Sequence, residues 1–164
     1  IDAYKGTFGV EHANILISLS QMSETLCILL IPFFLKRFGI KNVMLISMFA
    51  WVLRFGLLGT GNPGDGVWML VLSMLVYGVA FDFFNISGSL YVDKETDPSI
   101  RSSAQGVFMI MTNGFGAFLG SYAAGEVVDI FGWPHSWFIF ASYALAVGIL
   151  FAIVFKYKHN QEIK

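Results

Sequence analysis

The sequence predicts an all-α fold, a polytopic bundle of membrane-spanning helices. Three observations lead there. The 164 residues are 56% hydrophobic and 13% charged, about half the charged fraction of a soluble domain, with a mean hydropathy of +0.69. Five apolar stretches, at about 13–35, 43–59, 67–91, 102–127 and 133–155, each approach the roughly 20 residues that a helix needs to cross a bilayer. The connections between them are short and rich in glycine, proline and charge, as expected between antiparallel neighbours.

Composition also excludes several functions. The net charge is −1, and no basic cluster points to nucleic acid. The lone cysteine, Cys27, can form no internal disulfide and has no companions for a metal site. No nucleophile-elbow, zincin, Walker or dinucleotide pattern is present, so the chain is not expected to be an enzyme or to hold a metal or cofactor. The chain lacks an initiator Met and a signal-peptide pattern. Together with an odd number of spans, this reads as a fragment of a longer protein.

The first stretch carries Ser20-Gln-Met-Ser-Glu-Thr25 in its middle. Gln21 and Glu24, three residues apart, share a helical face. Glu24 lies roughly 12 residues into the helix, about 18 Å along it, near the membrane midplane. An ionisable group at that depth is costly and marks a functional site by default; the plainer alternative is a hydrogen bond to a neighbouring helix. Pro32 should bend this helix slightly. In the second stretch Arg54 either snorkels to the outer interface or pairs with an acid.

The third stretch organises the rest. Asp82 sits about two-thirds of the way along it, a second intramembrane carboxylate. Tyr77, Phe81, Phe84 and Asn85 recur at three- and four-residue steps and so share one face. That face suits a flat ligand with polar edges. It would equally suit an aromatic packing surface whose one acid pairs with a neighbour.

Asp97 followed by Pro98 is a start signal for the fourth helix. Gly116, Gly120 and Ala124, with Ala117, Ser121 and Gly125, form two stripes of small residues suited to close helix packing. Gln105 and Asn113 are read as interhelical hydrogen-bond formers, and Glu126 and Asp129 as solvated at the boundary. The fifth stretch has no charge between Trp133 and Phe155 and is expected to face lipid, with Trp133 and Trp137 anchoring it outside and Tyr157 inside.

Basic residues set the orientation. Lys36, Arg37 and Lys41 lie in the first connection, Lys94 and Arg101 in the third, and Lys156, Lys158 and Lys164 in the tail. The positive-inside rule makes these regions and the C-terminus cytoplasmic, and the N-terminus periplasmic.

Several strings carry a resemblance. Tyr77-Gly-Val-Ala-Phe-Asp-Phe-Phe-Asn-Ile-Ser-Gly-Ser, Arg101-Ser-Ser-Ala-Gln-Gly and Met111-Thr-Asn-Gly-Phe-Gly116 resemble the bacterial nucleoside:proton symporters of the major facilitator superfamily. Ser20-Gln-Met-Ser-Glu-Thr-Leu26, Ile31-Pro-Phe-Phe-Leu35, Gly39-Ile-Lys-Asn-Val-Met44 and Phe155-Lys-Tyr-Lys-His159 do so too. The resemblance runs nearly end to end. It implies spans eight to twelve of a twelve-helix carrier of the inner membrane, with span seven and the N-terminal half missing from this chain. It further implies that Gln21, Glu24, Tyr77, Phe81 and Asp82 match nucleoside-binding positions, and that an embedded carboxylate couples proton entry to uptake. Asn85 joins the expected substrate-binding set by its shared face with Phe81.

On that basis Gln21 would read the edge of a base, Tyr77 or Phe81 would stack on its face, and Glu24 or Asp82 would accept ribose hydroxyls. Asp82 is the favoured coupling group and Glu24 mainly a sugar ligand, with the roles exchangeable. The transported partners would be a nucleoside and a proton, within a lipid bilayer. Two alternatives stand beside this: a carrier fragment for another small polar solute, and a truncated membrane protein that transports nothing.

Overall fold

A computed structural model of the chain describes residues 5–62 and 64–156. The elements in order are a short α1 (Phe8–Glu11), α2 (Ala13–Thr60), α3 (Val67–Glu95), α4 (Arg101–Met109), a π-helical stretch Ile110–Gly116, and α5 (Ala117–Val154). Three runs, Ala13–Thr60, Val67–Glu95 and Arg101–Val154, are long and apolar enough to cross a membrane. Many large apolar side chains point outward, among them Leu29 at 72% exposure and Phe118 and Ile130 at 69%. Such a surface fits lipid rather than water as the surrounding solvent.

Two of the three runs are too long for one straight crossing. The 48 residues of α2 would reach about 72 Å as a straight helix, against a hydrocarbon core of about 30 Å. Each run contains one non-helical glycine, Gly39 at φ 80°, ψ 168° and Gly132 at φ 75°, ψ 165°. Only glycine enters that left-handed region without a steric cost, so a single residue turns the chain where the sequence suggested a loop of several. Ile31 and Val43, on either side of Gly39, share one buried cluster with Cys27 and Phe83. The two parts of α2 and the middle of α3 thus form the core.

Side chains tie the other joints. Asn62 Oδ1 accepts from the backbone N–H groups of Gly64 (2.9 Å) and Gly66 (3.1 Å), turning the chain into α3. Lys41 Nζ donates to the Ala152 carbonyl at 3.0 Å, holding the end of α5 against the chain just past Gly39. Ser136 Oγ donates to the carbonyls of Gly132 (2.6 Å) and Val127 (3.3 Å), closing the turn at Gly132.

Several expectations change here. The fourth helix begins at Arg101 after Ile100, and Asp97 does not cap it. Its carbonyl instead accepts the Ile100 N–H at 3.1 Å in a preceding turn, and Arg101 Nε pairs with Asp93 Oδ1 at 3.0 Å. Gln105 does bond across helices: its Nε2 donates to the Ser89 carbonyl (2.7 Å) and its Oε1 accepts from Ser89 Oγ (2.9 Å). Asn113 does not; its nearest partner is Met109 Sδ on its own helix, 3.6 Å away. Within this chain the small-residue stripes are exposed except at the half-buried Ala124, with nothing within 4 Å of a side chain added at Gly120 or Gly125. Trp137 is half-buried and stacks with Phe55 of α2 at 6.2 Å, whereas Trp133 stays 59% exposed. Glu126 and Asp129 are exposed as expected. Tyr157, Lys158 and Lys164 lie outside the described residues.

Candidate functional site

The site is built where α3 crosses the first part of α2. Gly78 makes the crossing close. A Cβ placed there would lie 2.7 Å from the Ser23 carbonyl carbon and Oγ and 2.8 Å from the Glu24 nitrogen. Ser23, itself buried, donates its hydroxyl to the Leu75 carbonyl of α3. Absence of a side chain at Gly78 and a hydroxyl at Ser23 therefore fix α3 against α2 at the level of Glu24. Neither residue stood out in the sequence. The available signal was a glycine one helical turn before a membrane aspartate.

One turn after Gly78 comes Asp82, 7% exposed. Its Oδ2 is buried and has no hydrogen-bond partner among the described residues. A buried carboxyl oxygen without a partner is a costly arrangement that calls for an occupant or a proton. Glu24, half-buried on α2, lies within electrostatic reach of Asp82 and Tyr77. The backbone of Glu24 meets α3 at Gly78, one turn before Asp82, so the two membrane acids identified from the sequence stand on either side of the same crossing.

The aromatic face assembles beside them. Tyr77 and Phe81 stack with centroids 5.6 Å apart and planes 17° from parallel, and Phe81 remains 36% exposed. Trp51, from the second part of α2, meets Tyr77 edge-on at 6.2 Å. Asn85, half-buried, continues the face, its Nδ2 donating to the Phe81 carbonyl at 2.9 Å. Gln21 lies one turn before Glu24 and is exposed, so it borders the acids without being enclosed by them. Asp82 differs from Phe81 in facing the Gly78 flank of α3, buried where Phe81 is open. The cluster as a whole offers aromatic rings for a flat group, an exposed amide, and, on the adjoining flank and on α2, two carboxyls able to accept hydroxyls or carry a proton.

The Arg54 side chain is half-buried and, among the described residues, is not ion-paired to an acid. Its guanidinium carbon lies 4.3 Å from the Tyr77 ring centroid and 5.7 Å from that of Trp51. A cation over a ring is worth about 0.5–2 kcal/mol, most where water is excluded. Among the described residues no group of three His, Cys, Asp or Glu side chains could hold a metal ion. A cavity of about 620 Å³ lined by Tyr91, Leu150, Phe151 and Lys156 lies further along α3 and is separate from this cluster.

Comparison with known proteins identifies the family. The family model for the nucleoside H+ symporter matches residues 2–160. The nucleoside permease NupG of Escherichia coli strain K12 is 55% identical over 163 residues, covering 95% of this chain and 39% of the permease. The xanthosine permease of the same strain is 54% identical over 166 residues, covering 97% of this chain and 40% of that protein. The crystal structure of the nucleoside transporter NupG superimposes with a TM-score of 0.85 at 56% identity, covering 92% of this chain and 39% of the transporter. This chain thus spans about two-fifths of the length of the curated relatives it matches. The family is one of transporters, not enzymes. With its helices apolar and outward-facing and the family model matched almost end to end, the chain belongs to the nucleoside H+ symporter family.

Proposed function

We propose that this chain is the C-terminal part of a twelve-helix carrier that moves nucleosides into the cell together with protons. The single observation that carries the reading is the placing of Glu24 and the buried Asp82 on the two helices of one close crossing, α2 against α3 at Gly78, beside the stacked Tyr77 and Phe81. The five apolar stretches are read as five spans, with Gly39 and Gly132 dividing α2 and the last run into two spans each. The N-terminus of the chain then lies on the periplasmic side of the inner membrane and the C-terminus on the cytoplasmic side. The other helices of the carrier, including the whole N-terminal half, would close the cavity from across the midplane, and rocking of the halves would give alternating access.

In this reading Tyr77 and Phe81 hold the base by its face and the exposed Gln21 reads its edge. Asn85 supplies a further amide. Glu24 accepts ribose hydroxyls and Asp82 takes up and releases the coupled proton. The two relatives, a nucleoside permease and a xanthosine permease at nearly equal identity, support nucleosides as a class and do not choose among bases.

The test uses a full-length carrier in which this chain replaces the matching segment of the E. coli permease, expressed in a host without nucleoside carriers. Gln21→Ala should raise the KM for uridine about tenfold, the loss of one or two hydrogen bonds to the base, with normal membrane insertion. An unchanged KM would remove Gln21 from base recognition.

A further inference from the structure

We propose that Arg54 is a positioning residue of the transport site, acting through Tyr77. The inference rests on the transport reading above, and it concerns a residue outside the expected substrate-binding set. Arg54 comes from the second part of α2, whereas the two acids and Gln21 come from the first part and from α3. Its guanidinium caps the Tyr77 ring at 4.3 Å, and Trp51 flanks it at 5.7 Å. Its Nη1 is buried and has no hydrogen-bond partner among the described residues. A group needed only to fill space would be better as an apolar side chain of similar volume, because a buried, unbonded guanidinium nitrogen is costly.

The geometry gives the cation a task. Tyr77 has Arg54 over its ring face at 4.3 Å and meets Trp51 edge-on at 6.2 Å. A ring held from both directions cannot rotate freely about its side-chain bonds. It therefore stays nearly parallel to Phe81, 17° between planes, and the two rings present one flat surface. Holding that surface ready before the ligand arrives improves binding by avoiding the ordering cost at the moment of binding. Arg54 touches neither the ligand nor the proton in this scheme; it sets the surface on which the ligand lies.

The experiment measures KM and maximal rate for labelled uridine in the full-length carrier described above. Arg54→Met should raise KM about tenfold and leave the maximal rate within about twofold, since ground-state binding alone is weakened. Arg54→Lys keeps the charge but not the planar guanidinium and should restore about half of the loss on a logarithmic scale. Tyr77→Leu should raise KM by itself, and adding Arg54→Met to it should change little, because residues acting through one another are not additive. Should Arg54→Met fail to reach the membrane, Arg54→Gln carries the same cycle. A KM unchanged by removal of the guanidinium, or fully additive effects with Tyr77→Leu, would overturn the proposal while leaving transport intact. A parent carrier that takes up no uridine would instead overturn the transport reading, and this inference with it.

Discussion

Asp82→Asn is expected to abolish proton-driven accumulation of nucleosides while the carrier still inserts and still exchanges nucleoside down its gradient. The amide has nearly the shape of the carboxyl, so the close crossing at Gly78 should be kept. What it cannot do is bind and release a proton. Asp82 is 7% exposed, and its Oδ2 has no protein partner among the described residues. An acid embedded at this depth without a fixed partner is the expected form of a proton relay. Accumulation should fall from well above the external concentration to equilibrium with it. Glu24→Gln should behave differently, weakening affinity about tenfold through the lost charge-assisted bonds to ribose but leaving accumulation in place. Retained accumulation in Asp82→Asn would move the coupling role to Glu24 or beyond this chain.

Gly78→Ala should be nearly as damaging, by a mechanical route. The added carbon would lie 2.7 Å from the Ser23 carbonyl carbon and 2.8 Å from the Glu24 nitrogen. Both are backbone atoms and cannot swing aside as a side-chain tip can. Forcing a methyl group into such a contact costs about 1–3 kcal/mol, and relief requires α3 to move away from α2. That movement separates Asp82 from Glu24 and breaks the bond from Ser23 to Leu75. The variant should show a lowered melting temperature in detergent and a raised KM for uridine together. Gly56→Ala is the control, since nothing lies within 4 Å of a Cβ at Gly56, and it should melt at or above the parent temperature. Equal behaviour of the two variants would contradict the packing described for the crossing.

What the sequence made legible was whatever depends on burial cost and on spacing along one helix. Glu24 and Asp82 stood out because a carboxylate is expensive in hydrocarbon wherever it falls. Tyr77 and Phe81 stood out because four residues make nearly one turn, and the structure stacks them. Features set by a second helix were not legible. Arg54 has a long, flexible stem, and whether it reaches the interface or folds over Tyr77 depends on where α3 lies. Gly78 looked like any glycine in an apolar run until Ser23 was placed against it.

Gln105 and Asn113 show the same limit within one segment. Both are amides on the same run, yet Gln105 meets Ser89 and Asn113 meets only its own helix. Between them the chain passes into the π-helical stretch Ile110–Gly116, whose wider turn shifts the register that an α-helical count assumes. The misplaced start at Asp97 has a similar origin. The cap signal was sound locally, but Asp97 to Ile100 forms a turn of its own before α4 begins.

The most direct test of proton-coupled nucleoside transport is uptake of labelled uridine by the full-length carrier bearing this segment, in a host lacking its own nucleoside carriers. Uptake is compared at about pH 5.5 and about pH 8, with and without a protonophore, because an inward proton gradient is the proposed driving force. The account predicts faster uptake at the acid pH and accumulation that collapses when the protonophore is added. Accumulation indifferent to both, or no uridine uptake by a correctly inserted carrier, would contradict it.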